Sequence, residues 1–332
     1  MKYIIDGHYD ILMDVAARRK KGERQVIRRR YYPAFQKGGV TGIVASIFVD
    51  SQYLPYGALS VAMEQISALH CEIEETPDLL MLCTSADDFL RAAETGRIGF
   101  LLSFEGAEPV SSCLLLHGFY AAGVRGLGLA WSRRNAAADG CDFSGSLKKG
   151  GLTEFGRELV KEAENLYMIL DLSHLSDEGV EDVLSITSCP VIASHSNSRA
   201  VAGSNRNLTD CQMRETASRG GTVGLNGCSL LTAGPGVSPD QNGLTAHLDH
   251  MTEIMGEDHV AFGFDFCDSF FADDLSSSTD QMPERPFDIL SRAHEDLPAF
   301  LDHLRQHGYT ESHLAKLAGE NWLHTFRHIL KH

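Results

Sequence analysis

The amino-acid sequence predicts a (β/α)₈ barrel of the TIM type, with a metal site at the C-terminal ends of its strands. Two observations favour this fold. Eight short apolar runs alternate with helix-like segments along the chain, and such alternation is typical of a parallel sheet. Five of these runs end at a histidine, an aspartate or a glutamate. Barrel enzymes place their active-site residues at the C-terminal ends of the strands.

The eight runs are short, apolar and often β-branched, as is typical of strands that are buried on both faces. A count of eight indicates a sheet that closes on itself. A doubly wound open sheet is the competing architecture, but it would spread the polar residues along one edge. The predicted strands are residues 3–6, 42–49, 98–104, 124–130, 167–172, 190–194, 221–225 and 259–264.

The segments between the runs carry helix signals. Thr209 and Gln212 have the spacing of a capping box, and Ser176 precedes two acidic residues, as at a helix start. Residues 297–307 and 311–329 have the pattern of a closing pair of helices. We see no linker, so we expect a single barrel domain over residues 1–332, although two smaller domains would also fit this length.

Composition excludes several classes of protein. The chain is 43% apolar and 22% charged, as in ordinary globular proteins. Its formal net charge of −16 argues against general binding to nucleic acid, and its apolar runs are too short to cross a membrane. The first residues form a predicted strand and no signal peptide, and the eight cysteines form no CxxC pair. We therefore expect a cytoplasmic protein with reduced thiols.

Polar residues at the strand ends are candidate metal ligands, because imidazoles and carboxylates are the ligands of hydrolytic zinc. His8 and Asp10 lie two positions apart, so in an extended chain their side chains point to the same side and can share an ion. Glu105 follows five apolar or small residues, where an unpaired carboxylate would be costly to bury. His174 and His195 end the fifth and sixth runs.

Each candidate, taken singly, has an ordinary structural explanation. A histidine at the end of a strand can be a hydrogen-bonded core residue, and a lone His-x-Asp pair is weak evidence for a metal. The joint pattern, which continues with Asp265 at the end of the eighth run, is what favours a metal site.

Several sequence blocks match those of one known family in their order and spacing. The blocks are Asp6–Asp10, Gly38–Val40, Phe104–Gly106, Gly151–Gly156, Asp171–Ser176, Pro190–Ser196, Arg206–Asn207, Gly263–Phe266 and Leu317–Asn321. On these blocks the chain resembles, nearly end to end, the membrane (renal-type) dipeptidases, which are the M19 metallopeptidases of the amidohydrolase-like barrels.

The resemblance implies a binuclear site with two Zn²⁺ ions per chain. A hydroxide that bridges two zinc ions is a strong nucleophile near neutral pH, because the metals lower the pKa of water. The implied ligands are His8 and Asp10 for one ion, His174 and His195 for the other, and Glu105 as the bridge.

The resemblance also implies two residues that act on the substrate. Asp265 would accept the proton of the attacking hydroxide and pass it to the leaving amine, as general base and then general acid. Arg206 would hold the terminal carboxylate of the substrate, a task that suits a planar bidentate cation.

At Trp131 the chain departs from the family pattern. Many members have a histidine at this position, after the fourth strand, where it is expected to polarise the substrate carbonyl. An indole can donate one hydrogen bond but carries no charge. We expect Trp131 to lie in the substrate-binding site and to influence the range of substrates.

A basic cluster of eight arginines and lysines lies between Arg18 and Arg30 in an otherwise acidic chain. One interpretation is a solvated face whose cations pair with acidic residues elsewhere. The other places the cluster at the mouth of the barrel, where a positive field would favour anionic substrates.

The function that the resemblance implies is zinc-dependent hydrolysis of dipeptides, L-Xaa-L-Xaa or L-Xaa-D-Xaa. A first alternative is hydrolysis of an N-acyl amino acid or a lactone on the same binuclear site. A second is a metal-bound barrel without catalysis that binds a peptide or a partner, although the retained ligands and Asp265 argue against it. The expected partners are a small dipeptide and, as in the family, a second copy in a homodimer, with no nucleic acid and no membrane.

Overall fold

A parallel barrel surrounded by helices forms the core of the computed structural model, which describes residues 1–141, 150–271 and 287–331. Its strands are β1 (Ile5–Tyr9), β2 (Gly42–Phe48), β3 (Leu80–Leu82), β4 (Ile98–Glu105), β5 (Val124–Gly128), β6 (Ile169–Asp171), β7 (Ile192–Ala193), β8 (Thr222–Leu225) and β9 (Val260–Phe262).

Eight of these strands form the barrel, paired in parallel in the order β1-β2-β4-β5-β6-β7-β8-β9. The first and last strands approach each other at the C-terminal end. There the carboxylate of Asp6 accepts a hydrogen bond from the backbone N–H of Phe264 (2.9 Å), and the carbonyl of His8 accepts one from the N–H of Asp265 (3.2 Å). The barrel is nearly closed, and the predicted (β/α)₈ fold is confirmed.

The short strand β3 was not among the predicted strands. Its three residues pair with the first part of β4, from Leu80 opposite Ile98 to Leu82 opposite Phe100. The pairing of β4 with β5 starts only at Leu102, so the early part of β4 has a free edge that β3 occupies. The extra strand therefore lies off the barrel path.

Helices cover the outside of the barrel. In the described part of the chain, no helix is both long and apolar enough to span a membrane. The helices are α1 (Ile11–Lys20), α2 (Tyr32–Gly38), α3 (Ala58–Glu75), α4 (Ala86–Glu94), α5 (Cys113–Ala121), α6 (Glu154–Asn165), α7 (Asp177–Ile186), α8 (Asp210–Ser218), α9 (Ser229–Thr232), α10 (Gln241–Met255), α11 (Asp268–Phe271), α12 (Leu297–His307), α13 (Glu311–Ala315) and α14 (Asn321–Ile329).

The predicted helix starts are present. Thr209 and Gln212 form the reciprocal hydrogen bonds of a capping box at α8, and the Ser176 hydroxyl caps α7. The segment 311–329, predicted as one helix, is divided by a π-helical turn over Lys316–Glu320. This turn connects α13 to α14 at the N-terminal end of the barrel.

The N-terminal end of the barrel is filled by an apolar cluster. Trp322 of α14 is fully buried and donates an indole hydrogen bond to the carbonyl of Phe262 (2.8 Å). Gly7 of β1 faces this ring, and a Cβ atom at Gly7 would overlap the indole. The strand residues packed with Trp322 are Ile5, Val44, Leu101, Ile169, Ile192 and Ala261. The candidate functional residues lie at the opposite end, where the strands terminate.

Candidate metal centre

The five candidate ligands converge at the C-terminal end of the barrel. His8 lies in β1, and Asp10 is the first residue after this strand. Glu105 is the last residue of β4. His174 and His195 lie just beyond β6 and β7. Because parallel strands end at the same side of the barrel, side chains distant in sequence become neighbours there.

Neighbouring donor atoms of these side chains lie between 2.9 and 3.7 Å apart. The Nε2 atoms of His174 and His195 are separated by 2.9 Å. One oxygen of Glu105 lies 2.9 Å from Nε2 of His174 and 3.7 Å from that of His195. The other oxygen lies 3.6 Å from Nε2 of His8, which in turn lies 3.6 Å from a carboxylate oxygen of Asp10. Glu105 therefore connects two groups of donors.

This donor set fits two divalent cations. The two groups are His8, Asp10 and Glu105, and Glu105, His174 and His195, each with its donor atoms within 4.8 Å of one another. Two ligands of a tetrahedral zinc lie about 3.4 Å apart, given metal–ligand distances of about 2.1 Å. Buried Nε2 of His8 and Oε2 of Glu105 have no hydrogen-bond partner among the described residues. A cation would satisfy both atoms.

Burial and nearby charge lower the pKa of two candidate ligands, His174 and His195. Burial, followed by the positive charge of Arg206, lowers the pKa of His174 well below its usual value. Burial likewise lowers the pKa of His195 well below its usual value. A lowered pKa favours the neutral ring, which is the form that coordinates metal.

Asp265 lies beside the candidate ligands, as predicted. Its Oδ1 atom is 3.9 Å from Nε2 of His8, and its backbone has a left-handed conformation with φ of 58°. Burial, together with the charge of Asp10, raises the pKa of Asp265 to about 6. His174 is also left-handed, with φ of 68°. This conformation is uncommon for non-glycine residues, although aspartate and histidine adopt it more often than most.

Arg206 is buried against the same cluster. One terminal nitrogen donates to the Ser196 hydroxyl (2.7 Å), and the other donates to the backbone carbonyl of His195 (2.8 Å). Its Nε atom is buried without a hydrogen-bond partner in the described part of the chain. The guanidinium is thus oriented by the protein and brings a positive charge next to the candidate ligands.

Trp131 stacks on one of the candidate ligands. Its ring centroid lies 5.7 Å from that of His174, with an angle of 29° between the planes, and 5.4 Å from that of Phe48. The guanidinium of Arg133 lies 5.2 Å from the indole ring. All eight residues singled out in the sequence therefore meet at one end of the barrel.

Comparison with known proteins identifies the family. A family model described as "Membrane dipeptidase (Peptidase family M19)" matches residues 2–331. The chain belongs to this family. Membership in the M19 metallopeptidases supports a hydrolytic enzyme of the dipeptidase type.

Solved M19 structures are similar over nearly the whole chain. Dipeptidase AC, a metallopeptidase of family M19, is 29% identical with a TM-score of 0.85, covering 99% of this chain and 98% of its own. A metallopeptidase from Rhodobacter sphaeroides, solved with a phosphinate mimic of the dipeptide L-Ala-D-Ala, is 29% identical with a TM-score of 0.83, covering 98% and 99%. An uncharacterized Klebsiella pneumoniae protein in the pqqA 5′ region is 32% identical over 283 residues, which is 83% of this chain and 98% of that protein.

Serine hydroxyls hold the outer nitrogens of the candidate ligands in this M19 chain. Ser132 Oγ lies 2.9 Å from Nδ1 of His174, and Ser194 Oγ lies 2.6 Å from Nδ1 of His195. Ser194 in turn donates from its hydroxyl and its backbone N–H to the carboxylate of Asp171. Sequence reasoning missed these partners, although Ser194 directly precedes a predicted ligand.

The basic cluster between Arg18 and Arg30 pairs largely with acidic side chains, many of them on or beside α3. Arg19, for example, contacts both Glu72 and Glu75. The other ion pairs are Arg18 with Asp14 and Glu23, Lys20 with Glu64, Arg24 with Glu75, Arg28 with Asp78, and Arg30 with Glu23. This pairing favours the interpretation of a locally neutralised surface over a positive field at the mouth.

Replacement of Ser132 by alanine should weaken metal binding. Ser132 lies within hydrogen-bond distance of Nδ1 of His174, and with Nδ1 as the donor the lone pair of Nε2 would face the centre. Loss of such a partner typically costs about 10–100-fold in metal affinity. We expect this loss in zinc titrations with a competing chelator. Ser185→Ala, which removes a hydroxyl bonded only to a helix carbonyl in α7, is the control. Equal affinity in both variants would contradict the assignment.

Proposed function

We propose that this M19 family member is a binuclear zinc dipeptidase that hydrolyses L-Xaa-L-Xaa or L-Xaa-D-Xaa dipeptides. The observation that carries the proposal is the pair of buried donor groups that share Glu105. Two neutral imidazoles and a shared carboxylate suit zinc. The family match over residues 2–331 also supports treating the chain as one catalytic domain.

The proposed metal ligands are His8 and Asp10 on one side of Glu105, and His174 and His195 on the other. When bound, two zinc ions would lower the pKa of water and polarise the scissile carbonyl. The protein supplies the fixed geometry, because every proposed ligand lies at or just beyond the C-terminal end of a barrel strand. Buried imidazoles with depressed pKa values are available as ligands without loss of a proton.

Asp265 is proposed as the group that moves the proton. Its Oδ1 atom is directed towards His8, on the side of the donor cluster. In this position it can accept a proton from the attacking water and return it to the nitrogen of the leaving amino acid. One carboxylate then serves both halves of the reaction.

Arg206 and Trp131 are proposed to bind the substrate. The oriented and buried guanidinium of Arg206 suits the terminal carboxylate of a dipeptide. Trp131, next to His174, would contact the substrate from the other side. The Rhodobacter sphaeroides relative was solved with a mimic of L-Ala-D-Ala, which supports a dipeptide as the substrate class and a D residue at its C-terminal position.

A substrate panel tests the proposal. Metal is removed by chelation and zinc is restored, and the rate of hydrolysis is followed for L-Ala-L-Ala, L-Ala-D-Ala, N-acetyl-L-alanine and a lactone. We expect activity on the dipeptides to disappear with the metal and to return with two zinc ions per chain. Cleavage of the acylated amino acid or the lactone without cleavage of dipeptides would replace the proposed substrate class. One bound ion at full activity would refute the binuclear site.

Replacement of Asp265 by asparagine should retain zinc and lose turnover. The amide cannot accept the proton, and loss of a general acid–base typically lowers the rate by about 10²–10⁴-fold. Glu105→Gln is the contrasting variant, because it should lower the zinc content itself. Metal analysis and kcat are measured on both variants. Normal turnover in Asp265→Asn would show that another group moves the proton.

Replacement of Arg206 by lysine should raise KM for dipeptides, because a point charge cannot reproduce the bidentate fork. Dipeptide amides should be poor substrates of the unaltered enzyme for the same reason. Arg199→Lys is a matched control from the same loop, since Arg199 forms a bidentate pair with Asp177 on the outside. If amides are cleaved as fast as free dipeptides, the carboxylate is not recognised by Arg206.

A further inference from the structure

We infer that Asn226 is the positioning residue of Asp265, an inference that rests on the proposed catalytic role of that carboxylate. Asn226 directly follows β8 and is fully buried. Its side-chain nitrogen donates a hydrogen bond to Oδ2 of Asp265 (3.0 Å). The other carboxylate oxygen, Oδ1, is the one directed at His8. Asn226 therefore holds the oxygen that does not face the candidate metal centre.

The orientation of the Asn226 amide follows from its other contacts. Its side-chain oxygen accepts a hydrogen bond from the backbone N–H of Cys228 (2.7 Å). An N–H group can only donate, so the atom opposite Cys228 must be the oxygen, and the nitrogen must face Asp265. The same nitrogen lies 3.4 Å from the carbonyl of His195, a candidate ligand. The amide thus contacts both the carboxylate and the backbone of the metal centre.

A second asparagine fixes Asn226 itself. The backbone N–H of Asn226 donates to the side-chain oxygen of Asn197 (2.9 Å), and its carbonyl accepts from the side-chain nitrogen (3.1 Å). The backbone and side-chain polar groups of Asn226 are therefore all engaged inside the protein. A donor held at so many points can restrict the rotation of the Asp265 carboxylate, which a mobile side chain or solvent could not do.

A fixed carboxylate matters because the proposed proton transfer needs one oxygen within hydrogen-bond reach of both the attacking water and the leaving nitrogen. The Asp265 side chain is partly accessible, with 22% of its surface exposed, and its backbone is left-handed. Without a partner for Oδ2, the carboxylate could turn away from the centre. Asn226 keeps Oδ1 in place and also disfavours a proton on Oδ2, since a protonated oxygen there would face an N–H donor.

A double-mutant cycle separates this role from a purely structural one. Asn226→Ala is introduced into the unaltered enzyme and into Asp265→Asn, and kcat and KM for L-Ala-D-Ala, or for the best dipeptide of the panel, are normalised to the folded, zinc-loaded fraction. In the unaltered background we expect kcat to fall about 10–100-fold, with KM and zinc content little changed. In Asp265→Asn the same replacement should change the residual kcat less than about twofold, because the group that Asn226 positions is already inactive.

Two further variants keep the test decisive. Asn226→Asp preserves the size of the side chain but replaces the donor by an acceptor, so it should lower kcat at least as much as alanine. Asn321→Ala is the control, because Asn321 is a buried asparagine whose amide bonds backbone carbonyls at the other end of β9 (both 2.8 Å). It should lower the melting temperature without lowering kcat of the folded enzyme.

The outcomes distinguish the two proposals. Unchanged kcat in both Asn226 variants, or an equal loss in both backgrounds of the cycle, would overturn the positioning role of Asn226 and leave Asp265 as the proton carrier. Normal turnover in Asp265→Asn alone would instead refute the catalytic role of Asp265, and the positioning role would fall with it.

Discussion

Close approach of buried imidazole and carboxylate groups is the constraint on which the candidate metal centre depends. Imidazole nitrogens and carboxylate oxygens lie as close as 2.9 Å in a space that is largely closed to water. Such an arrangement is unfavourable unless cations or hydrogen bonds compensate it. It also needs a closed barrel, because the donors come from four strands, β1, β4, β6 and β7, that are not all neighbours. An open sheet could not bring their ends to one point.

The protein itself supplies hydrogen bonds to the side of the candidate metal centre that faces away from the donor cluster. Ser132 contacts Nδ1 of His174, and Ser194 contacts Nδ1 of His195. Asp171 accepts a hydrogen bond from the hydroxyl of Ser194, and Asn226 donates one to Asp265. Each contact with His174, His195 or Asp265 occupies the nitrogen or oxygen that points away from the centre. The other ring nitrogen or carboxylate oxygen of the same side chain then faces the donor cluster. The polar network is therefore directional, and it connects different strand ends, as in the contacts of Ser132 with His174, Ser194 with Asp171 and Asn226 with Asp265.

The two ends of the barrel have different roles in this protein. Apolar residues around Trp322 fill the N-terminal end and include the close contact at Gly7, so this end contributes mainly to stability. At the other end, irregular backbone replaces strand soon after β6 and β7, and His174 and Asp265 adopt left-handed conformations. These conformations are less favourable for non-glycine residues. Packing around Trp322 holds the strands from which these residues extend.

The sequence pattern by itself determined the barrel, its eight strands and the convergence of the residues at the strand ends, because apolar periodicity and strand-end residues are local properties of the chain. The places of Arg206 and Trp131 in the site were indicated only by the resemblance to the family. Tertiary structure decided what depends on register and on long sequence separation. Examples are the edge strand β3, the partner of His174 at Ser132, the pairing of Arg19 with α3, and the contact of Asn226 with Asp265 across 39 residues. A serine or an asparagine carries no local signal of its partner, since only barrel closure sets which strand ends meet.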